Sequence, residues 1–517
     1  MFTLRRMDLL THPPAVPPTN SSRPPGRHAV VIGAGFGGLA GAIRLGARGY
    51  RVTVLEKLDA PGGRASVFRQ DGFTFDAGPT ILTAPFLLEE LWTLCGRRMA
   101  DDLTLKPMDP FYRIRFNDGT TFDTSGDPAR MRAEVQRLAP DDVAGYEAFM
   151  RIGREICSLG FEQLGDSPFN SIMDMVKVAP DMLRLGSLRS TYGIVSKFIK
   201  DERLRIAFSF HPLFIGGNPF TASAIYAMIP YLERRWGVHF AMGGTGQAVA
   251  GLAKLIAGQG NTIRCGVEVE QILVSNGRAT GVRLKGGEAI DADIVVSNAD
   301  SAFTYRKLLP PETRRRWTDR KLDRARYSMS LFVWYFGTDR QYPDVPHHTI
   351  ALGPRYKGLL TDVFTRKVLA KDFSLYLHRP TATDPSLAPA GCDTFYALSP
   401  VPNLEGKTDW LVEAERYRRT IEAELSATLL PELGKHVVSS KLMTPLDFRD
   451  GLCSLRGAAF GLEPVLLQSA WFRPHNKSED VAGLYLVGAG THPGAGVPGV
   501  LSSAKVLDRV VPHAATL

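Results

Sequence analysis

The sequence predicts an α/β fold in which one parallel sheet is assembled from discontinuous stretches of chain. Three observations predict it. Residues 28–32 (His-Ala-Val-Val-Ile) form a short β-branched run that stops at a glycine-rich turn and leads into a helical stretch over 39–48. A second strand over 51–55 ends on an acid, Glu56, which completes the order of a βαβ unit. Near the other terminus, 483–487 is again an apolar strand that opens into a glycine-rich turn, with a closing helix from Val500 onward.

The remaining elements follow in order. Residues 267–274 and 279–284 read as strands joined by the tight turn Asn276-Gly277, and Gly286-Gly287 marks the next turn, so an antiparallel meander is expected. A buried strand over 293–297 follows it. The run Leu331-Phe332-Val333-Trp334-Tyr335-Phe336 is apolar at every position, as a strand covered on both faces requires. The pieces 28–100, 240–300 and 475–517 are assigned to one nucleotide-type domain. Residues 101–239 are expected to form a helical, membrane-associating insert, 301–474 a mixed α+β substrate-binding domain, and 1–27 a disordered tail.

Composition excludes several classes. The chain has 517 residues, 44% of them hydrophobic and 22% charged, which is ordinary globular usage. No apolar run approaches the roughly 18–20 residues of a spanning helix. Five scattered cysteines, none in a Cys-x-x-Cys pair, argue against a disulfide framework and a zinc site. Residues 1–27 carry six prolines and four arginines but no apolar core of a secretory signal, so a cytoplasmic protein is expected. The formal charge of +9 comes with no block of five Lys or Arg, which disfavours nucleic acid as a partner.

The first turn, Gly33-Ala34-Gly35-Phe36-Gly37-Gly38, satisfies G-x-G-x-x-G between a strand and a helix. Gly33 permits the tight turn, Gly35 admits a pyrophosphate, and Gly38 allows close helix–strand packing. The helix N-terminus offers unpaired N–H groups to phosphate, and Glu56 is placed to accept from ribose hydroxyls. This makes a Rossmann-type site for an ADP-containing dinucleotide. Two features favour FAD over a nicotinamide. Gly62-Gly63-Arg64 follows closely on Glu56, and the C-terminal turn Gly488–Gly499 supplies a second helix, starting near Pro498, whose positive end suits the flavin N1–C2=O edge. A purely structural C-terminal turn is the alternative.

These stretches together resemble the bacterial-type phytoene desaturases, the carotenoid branch of the flavin amine oxidase superfamily. The resemblance rests on Val30–Gly38, on Val54–Arg64 with Pro61-Gly62-Gly63-Arg64, on Phe75-Asp76-Ala77-Gly78-Pro79-Thr80, on Phe208–Phe220, and on Leu486–Gly499. It implies a Rossmann-type FAD-binding domain and non-covalent FAD held by Gly33, Gly35, Gly38, Glu56, Lys57, Gly63 and Arg64, by Gly78, Pro79, Thr80 and Val269, and by Gly490, Val497, Pro498 and Gly499. It also implies stepwise dehydrogenation of phytoene to neurosporene or lycopene at a membrane surface, and the lack of a second dinucleotide fingerprint disfavours a nicotinamide partner and leaves oxygen or a membrane quinone as electron acceptor.

A hydrocarbon offers no polar handle, so its site should be a long apolar tunnel. Phe208, Phe210, Phe214, Phe220, Trp334, Tyr335 and Phe336 are the candidate lining, and each also fits plain core. The mixed basic and apolar region 177–232 is the candidate membrane contact, with a solvated helix face as its alternative. His211, His492, Glu233 and Asp300 invite a proton-transfer role, but nothing in the spacing selects one, and no metal constellation is visible. Other readings are a different carotenoid desaturase, a saturase, a flavin-dependent polyene isomerase, an amine oxidase, or a lipid-binding relative without flavin. The last needs no intact glycine fingerprint.

Overall fold

The computed structural model describes residues 26–516. The predicted tail therefore lies outside the described residues except for Gly26 and Arg27. Arg27 already belongs to the fold: its guanidinium pairs with Asp293 at 2.9 Å.

The predicted parallel sheet has five strands in the order Thr262–Arg264, Arg51–Leu55, His28–Ile32, Ile294–Ser297 and Leu484–Leu486. His28–Ile32 is buried along its whole length at the centre. Its alternate residues serve two cores, as the pleat dictates. Ala29 and Val31 pack with the helices Phe36–Ala47, Thr245–Gly258 and Val497–Lys505. Val30 and Ile32 pack with Val269, Ile272 and Val282 of the predicted meander, whose strands are Val269–Ser275, Arg278–Leu284 and Ala289–Asp291.

One of the two glycine-flanked helices starts earlier than expected. The first begins at Phe36, because Gly37 and Gly38 lie inside it, and a Cβ on Gly38 would sit 2.0 Å from the Gly33 carbonyl oxygen. The last begins at Val497, ahead of the stretch from Val500 and at the start expected near Pro498, which sits in the first turn where no N–H is needed.

The second sheet has seven strands in the order Val437–Met443, Ser330–Thr338, Asp393–Val401, Leu375–His378, His348–Ala351, Arg113–Arg115 and Thr121–Asp123. Its last two strands come from the segment expected to be a helical insert. That segment is helical mainly between Pro128 and Trp236, and its first part completes the substrate sheet instead.

Ser330–Thr338 is buried at every position, as its composition requires. Phe332, Trp334 and Phe336 pack with Trp410, Tyr417 and Phe395 on one face, while Leu331, Val333 and Tyr335 face the other core. Trp334 and Phe336 are therefore not tunnel lining. Phe208 is core as well, stacked on Tyr146 at 5.3 Å.

Candidate functional site

A single cavity of about 1000 Å³ joins the glycine turns of the first sheet to the inner face of the second. At its nucleotide end the chain leaves the first strand through Gly33, held at φ +90°, a conformation in which glycine alone is unstrained. A Cβ on Gly35 would touch only the Asn298 amide at 3.0 Å and the Gly62 carbonyl at 3.8 Å, and Gly33, Gly35, Gly62 and Gly63 all line the cavity. This open cradle of backbone has the shape a pyrophosphate needs.

Glu56, 6% exposed, accepts from the Ala34 N–H at 2.7 Å through Oε2 and from the Leu58 N–H at 2.9 Å through Oε1. Each oxygen retains a lone pair for a ribose hydroxyl. Val269 lines the same end. Lys57 also lines it, with its ammonium committed to the Asp450 carbonyl at 2.9 Å and to Glu268.

Asn298 was not legible as a site residue. It follows the strand Ile294–Ser297, and its amide reaches the Gly33 carbonyl at 3.4 Å. Its position at the carboxyl end of a central parallel strand was the available signal, since ligands of open α/β sheets bind there.

The middle of the cavity is built by Arg64, Gly78, Pro79, Thr80 and the C-terminal turn. Gly78 presses on the 63–65 turn so closely that a Cβ would lie 1.7 Å from the Arg64 carbonyl oxygen. The Arg64 guanidinium donates to the Ala459 carbonyl at 2.8 Å and to Ser454 Oγ at 2.7 Å, so it ties this turn to the substrate domain. Burial lowers its pKa, and nearby Asp300 opposes the shift.

Val497, Pro498, Gly499 and Val500 all line the cavity, which presents the positive end of their helix to its contents. This donor set fits the polar edge of a flavin. Two expected contacts move: Gly38 and Gly490 do not line the cavity and serve packing, Gly490 against Ser301. Gly499 does line it, but a Cβ there would meet the Gly494 carbonyl oxygen at 2.6 Å, so its smallness closes the turn on itself.

Asp76 does not face the cavity as a ligand. It accepts from the Thr245 N–H at 2.8 Å and so serves the start of the Thr245–Gly258 helix, while burial pushes its carboxyl up to about 7. Thr80 Oγ1 bonds to Tyr396 at 2.7 Å and to Tyr376 at 3.0 Å, and Tyr376 continues to His348 Nδ1 at 2.7 Å.

Behind that chain the fold gathers His347, His348 and His378, with one nitrogen from each within 4.8 Å of the others. No metal constellation was expected from the sequence, and this cluster is one by proximity. His347 Nε2 and His378 Nε2 meet at 3.0 Å, and the His348 and His378 rings stack at 17°. Stacked rings aim their nitrogens along parallel lines rather than at a shared point. Burial holds all three neutral, with His347 lowered to about 3, and the cluster reads as a polar tether between strands.

The far part of the cavity is apolar, walled by Phe210, Leu213, Phe214, Leu331, Val333 and Ile350. Phe210, Phe214 and Tyr335 thus take the expected lining role. Phe220 packs instead beside Tyr192 and Tyr356. The cavity reaches Met175 and Met182 of the helix Ile172–Arg184, which has no buried residue. His492 donates its Nε2–H to the Leu164 carbonyl at 3.0 Å, and burial lowers its pKa to about 4.

Comparison with known proteins places this geometry. The family described as flavin containing amine oxidoreductase matches residues 36–506. A phytoene desaturase (neurosporene-forming) of Cereibacter sphaeroides is 52% identical over 491 residues, 94% of this chain and 95% of that protein. A phytoene desaturase (lycopene-forming) of Pseudescherichia vulneris is 49% identical over 93% of this chain and 98% of its own length. Among solved structures, putrescine oxidase bound to putrescine superposes with a TM-score of 0.61 at 15% identity, covering 94% of this chain and 99% of that one, which speaks to the fold alone. The chain belongs to the flavin containing amine oxidoreductase family, in the branch that contains the phytoene desaturases.

Proposed function

We propose that this protein is an FAD-dependent desaturase that converts phytoene to neurosporene, lycopene or both. The observation that carries the reading is the continuity of one cavity, from a nucleotide cradle to an apolar channel long enough to reach a surface helix. When bound, FAD supplies a two-electron hydride acceptor. The chain's own residues do the rest. Gly33, Gly35 and Gly63 leave room for the pyrophosphate, Glu56 takes the ribose, and the helix Val497–Lys505 directs its positive end at the cofactor's polar edge. Phe210, Phe214 and Val333 hold a polyene by burial and exclude water, at about 25 cal/mol per Å² of apolar surface. Oxygen or a membrane quinone is the acceptor that returns the cofactor to its oxidised form.

Peripheral attachment to a membrane belongs to the same proposal. No helix among the described residues is long and apolar enough to cross a bilayer. The helix Ile172–Arg184 and the turn after it instead expose Ile172, Met173, Val176, Leu183 and Leu188, the last at 74%, beside the point where Met175 and Met182 line the cavity. That patch shortens the expected 177–232 contact and moves it towards the N-terminus, since Ile172, Met173 and Val176 lie before it and Phe208, Phe210 and Leu232 are buried. Arg184 is paired with Glu155 at 2.7 Å, while Lys177 and Arg189 are exposed beside the apolar side chains, so apolar insertion is joined by basic charge at the patch edge.

The test is expression in cells that accumulate phytoene, followed by pigment analysis. Coloured neurosporene or lycopene is the expected result. Unchanged phytoene in cells that contain flavin-loaded protein overturns the reading.

A further inference from the structure

The sequence left the proton acceptor open, and the fold brings two of its candidates together. Glu233 lies on the helix Ile229–Trp236, which packs against the strand Leu82–Thr83 just beyond Thr80. It lines the apolar part of the cavity and is 3% exposed. Tyr112 donates its hydroxyl to Glu233 Oε2 at 2.5 Å, and the same hydroxyl meets His211 Nε2 at 2.7 Å. All three side chains are buried, although Tyr112 and Glu233 are 121 residues apart.

Burying a carboxylate in an apolar wall is costly, so an unneutralised one calls for an explanation. Histidine is its sole ion-pair partner among the described residues, with His211 Nε2 at 3.4 Å. The neighbouring cations turn elsewhere, Arg234 to Tyr146 and Arg235 to Glu162. Every other buried carboxylate on the cavity wall is engaged by backbone N–H groups. Glu56 takes Ala34 and Leu58, and Asp300 takes Phe303. Both contacts of Glu233 fall on Oε2, which leaves Oε1 with no hydrogen bond among the described residues and available to the cavity. Behind the carboxylate, His211 Nδ1 is buried without a partner, so the ring keeps an unused proton site.

Resting on the phytoene reading, we infer that Glu233 is the catalytic base of the dehydrogenation and that Tyr112 and His211 are its positioning residues. One substrate C–H bond breaks with its electron pair leaving as hydride to the flavin. The adjacent C–H bond breaks heterolytically, its pair becomes the second bond of the new C=C, and its proton goes to Glu233 Oε1. The substrate is oxidised by two electrons and the flavin reduced by two. The cation left by hydride loss is allylic, so its neighbouring proton is acidic enough for a carboxylate to remove.

The experiment is anaerobic flavin bleaching by phytoene in liposomes, followed by stopped flow across pH, with wild type and Glu233→Gln. Glu233→Gln is expected to hold flavin and to be reduced at least about 100-fold more slowly, with the rise of rate towards higher pH lost. Glu233→Asp should recover part of the rate. In oxidised holoenzyme without substrate, a carboxyl C=O infrared band that titrates should vanish in Glu233→Gln and shift in Tyr112→Phe. Flavin-loaded Glu233→Gln reduced at the wild-type rate overturns the assignment. Should Glu233→Gln fail to hold flavin, Tyr112→Phe decides: a slower reduction with a displaced pH limb supports it, and an unchanged rate and limb overturns it. If wild type itself is not reduced by phytoene, the substrate reading has failed, which is distinguishable from failure at Glu233 alone, and the base assignment falls with it.

Discussion

Glu56 Oε2 holds the Ala34 N–H at 2.7 Å, fastening the end of the second strand to the glycine turn 22 residues before it. The carboxylate thus shapes the glycine turn while it lines the nucleotide end of the cavity. Glu56→Ala is expected to lower both flavin affinity and melting temperature, whereas Glu56→Gln, which keeps an acceptor for Ala34, should lose affinity about tenfold and keep most of the stability. Flavin fluorescence titration beside thermal melts separates the two losses.

Two glycines of one fingerprint should fail differently. Gly35 has ordinary backbone angles, and a Cβ there meets the movable Asn298 side-chain amide at 3.0 Å and no backbone atom nearer than the Gly62 carbonyl at 3.8 Å, so Gly35→Val should fold and purify without flavin. Gly38→Val would drive its Cβ into the Gly33 carbonyl and should cost on the order of 3 kcal/mol or more in stability. The flavin-to-protein ratio and the melting temperature read these outcomes independently.

Gly499 should behave like Gly38, not like Gly35. Its Cβ would clash with the Gly494 backbone, so Gly499→Ala is expected to destabilise the C-terminal turn before it touches any ligand. A melting temperature unchanged in Gly499→Ala, with activity lost, would contradict this.

Acid should destabilise the protein through its buried imidazoles. His347, His348 and His378 have folded pKa values below the ordinary 6.5, so below that pH the unfolded chain binds protons that the native state refuses. Stability is then lost as pH falls through 6.5, by roughly 2 kcal/mol per ring at about pH 5. Asp76, raised to about 7 by burial, works in the opposite sense and gains native-state protons over the same range. Urea midpoints between about pH 7 and about pH 5 should therefore fall in wild type and fall more steeply in Asp76→Asn.

Charge on the exposed patch should break membrane contact without breaking the enzyme. Leu183→Asp together with Leu188→Asp is expected to abolish co-sedimentation with liposomes while flavin content stays at the wild-type level, since both side chains are exposed. Undiminished sedimentation of the double variant would move the contact elsewhere.

What was legible in the chain was what backbone geometry demands locally. The turn at Gly33 and Gly35 and its tie to Glu56 are readable through spacing alone, because the strand, the turn, the helix and the next strand end fall within one βαβ unit. Asn298, the Tyr112–Glu233–His211 group and the histidine tether were not legible, since each joins segments that tertiary packing alone brings together. The strands Arg113–Arg115 and Thr121–Asp123 are three residues each and charged, too short to carry a period. The run 331–336 marked a buried strand correctly, but with both faces apolar nothing in its pattern says which face meets the cavity.

That two-faced strand has an evolutionary consequence. Odd positions from Leu331 to Tyr335 meet the cavity, and even positions from Phe332 to Phe336 meet the helix Trp410–Thr428 and its neighbours. Substitutions at odd positions can reshape the channel, and with it how far along a polyene the chemistry proceeds, while the packing that keeps the sheet intact stays untouched. Inserting or deleting one residue has no such freedom, because it exchanges the two faces at once. Diversification of the extent of desaturation through this wall therefore proceeds by replacement of side chains and is closed to insertion or deletion of single residues in the strand.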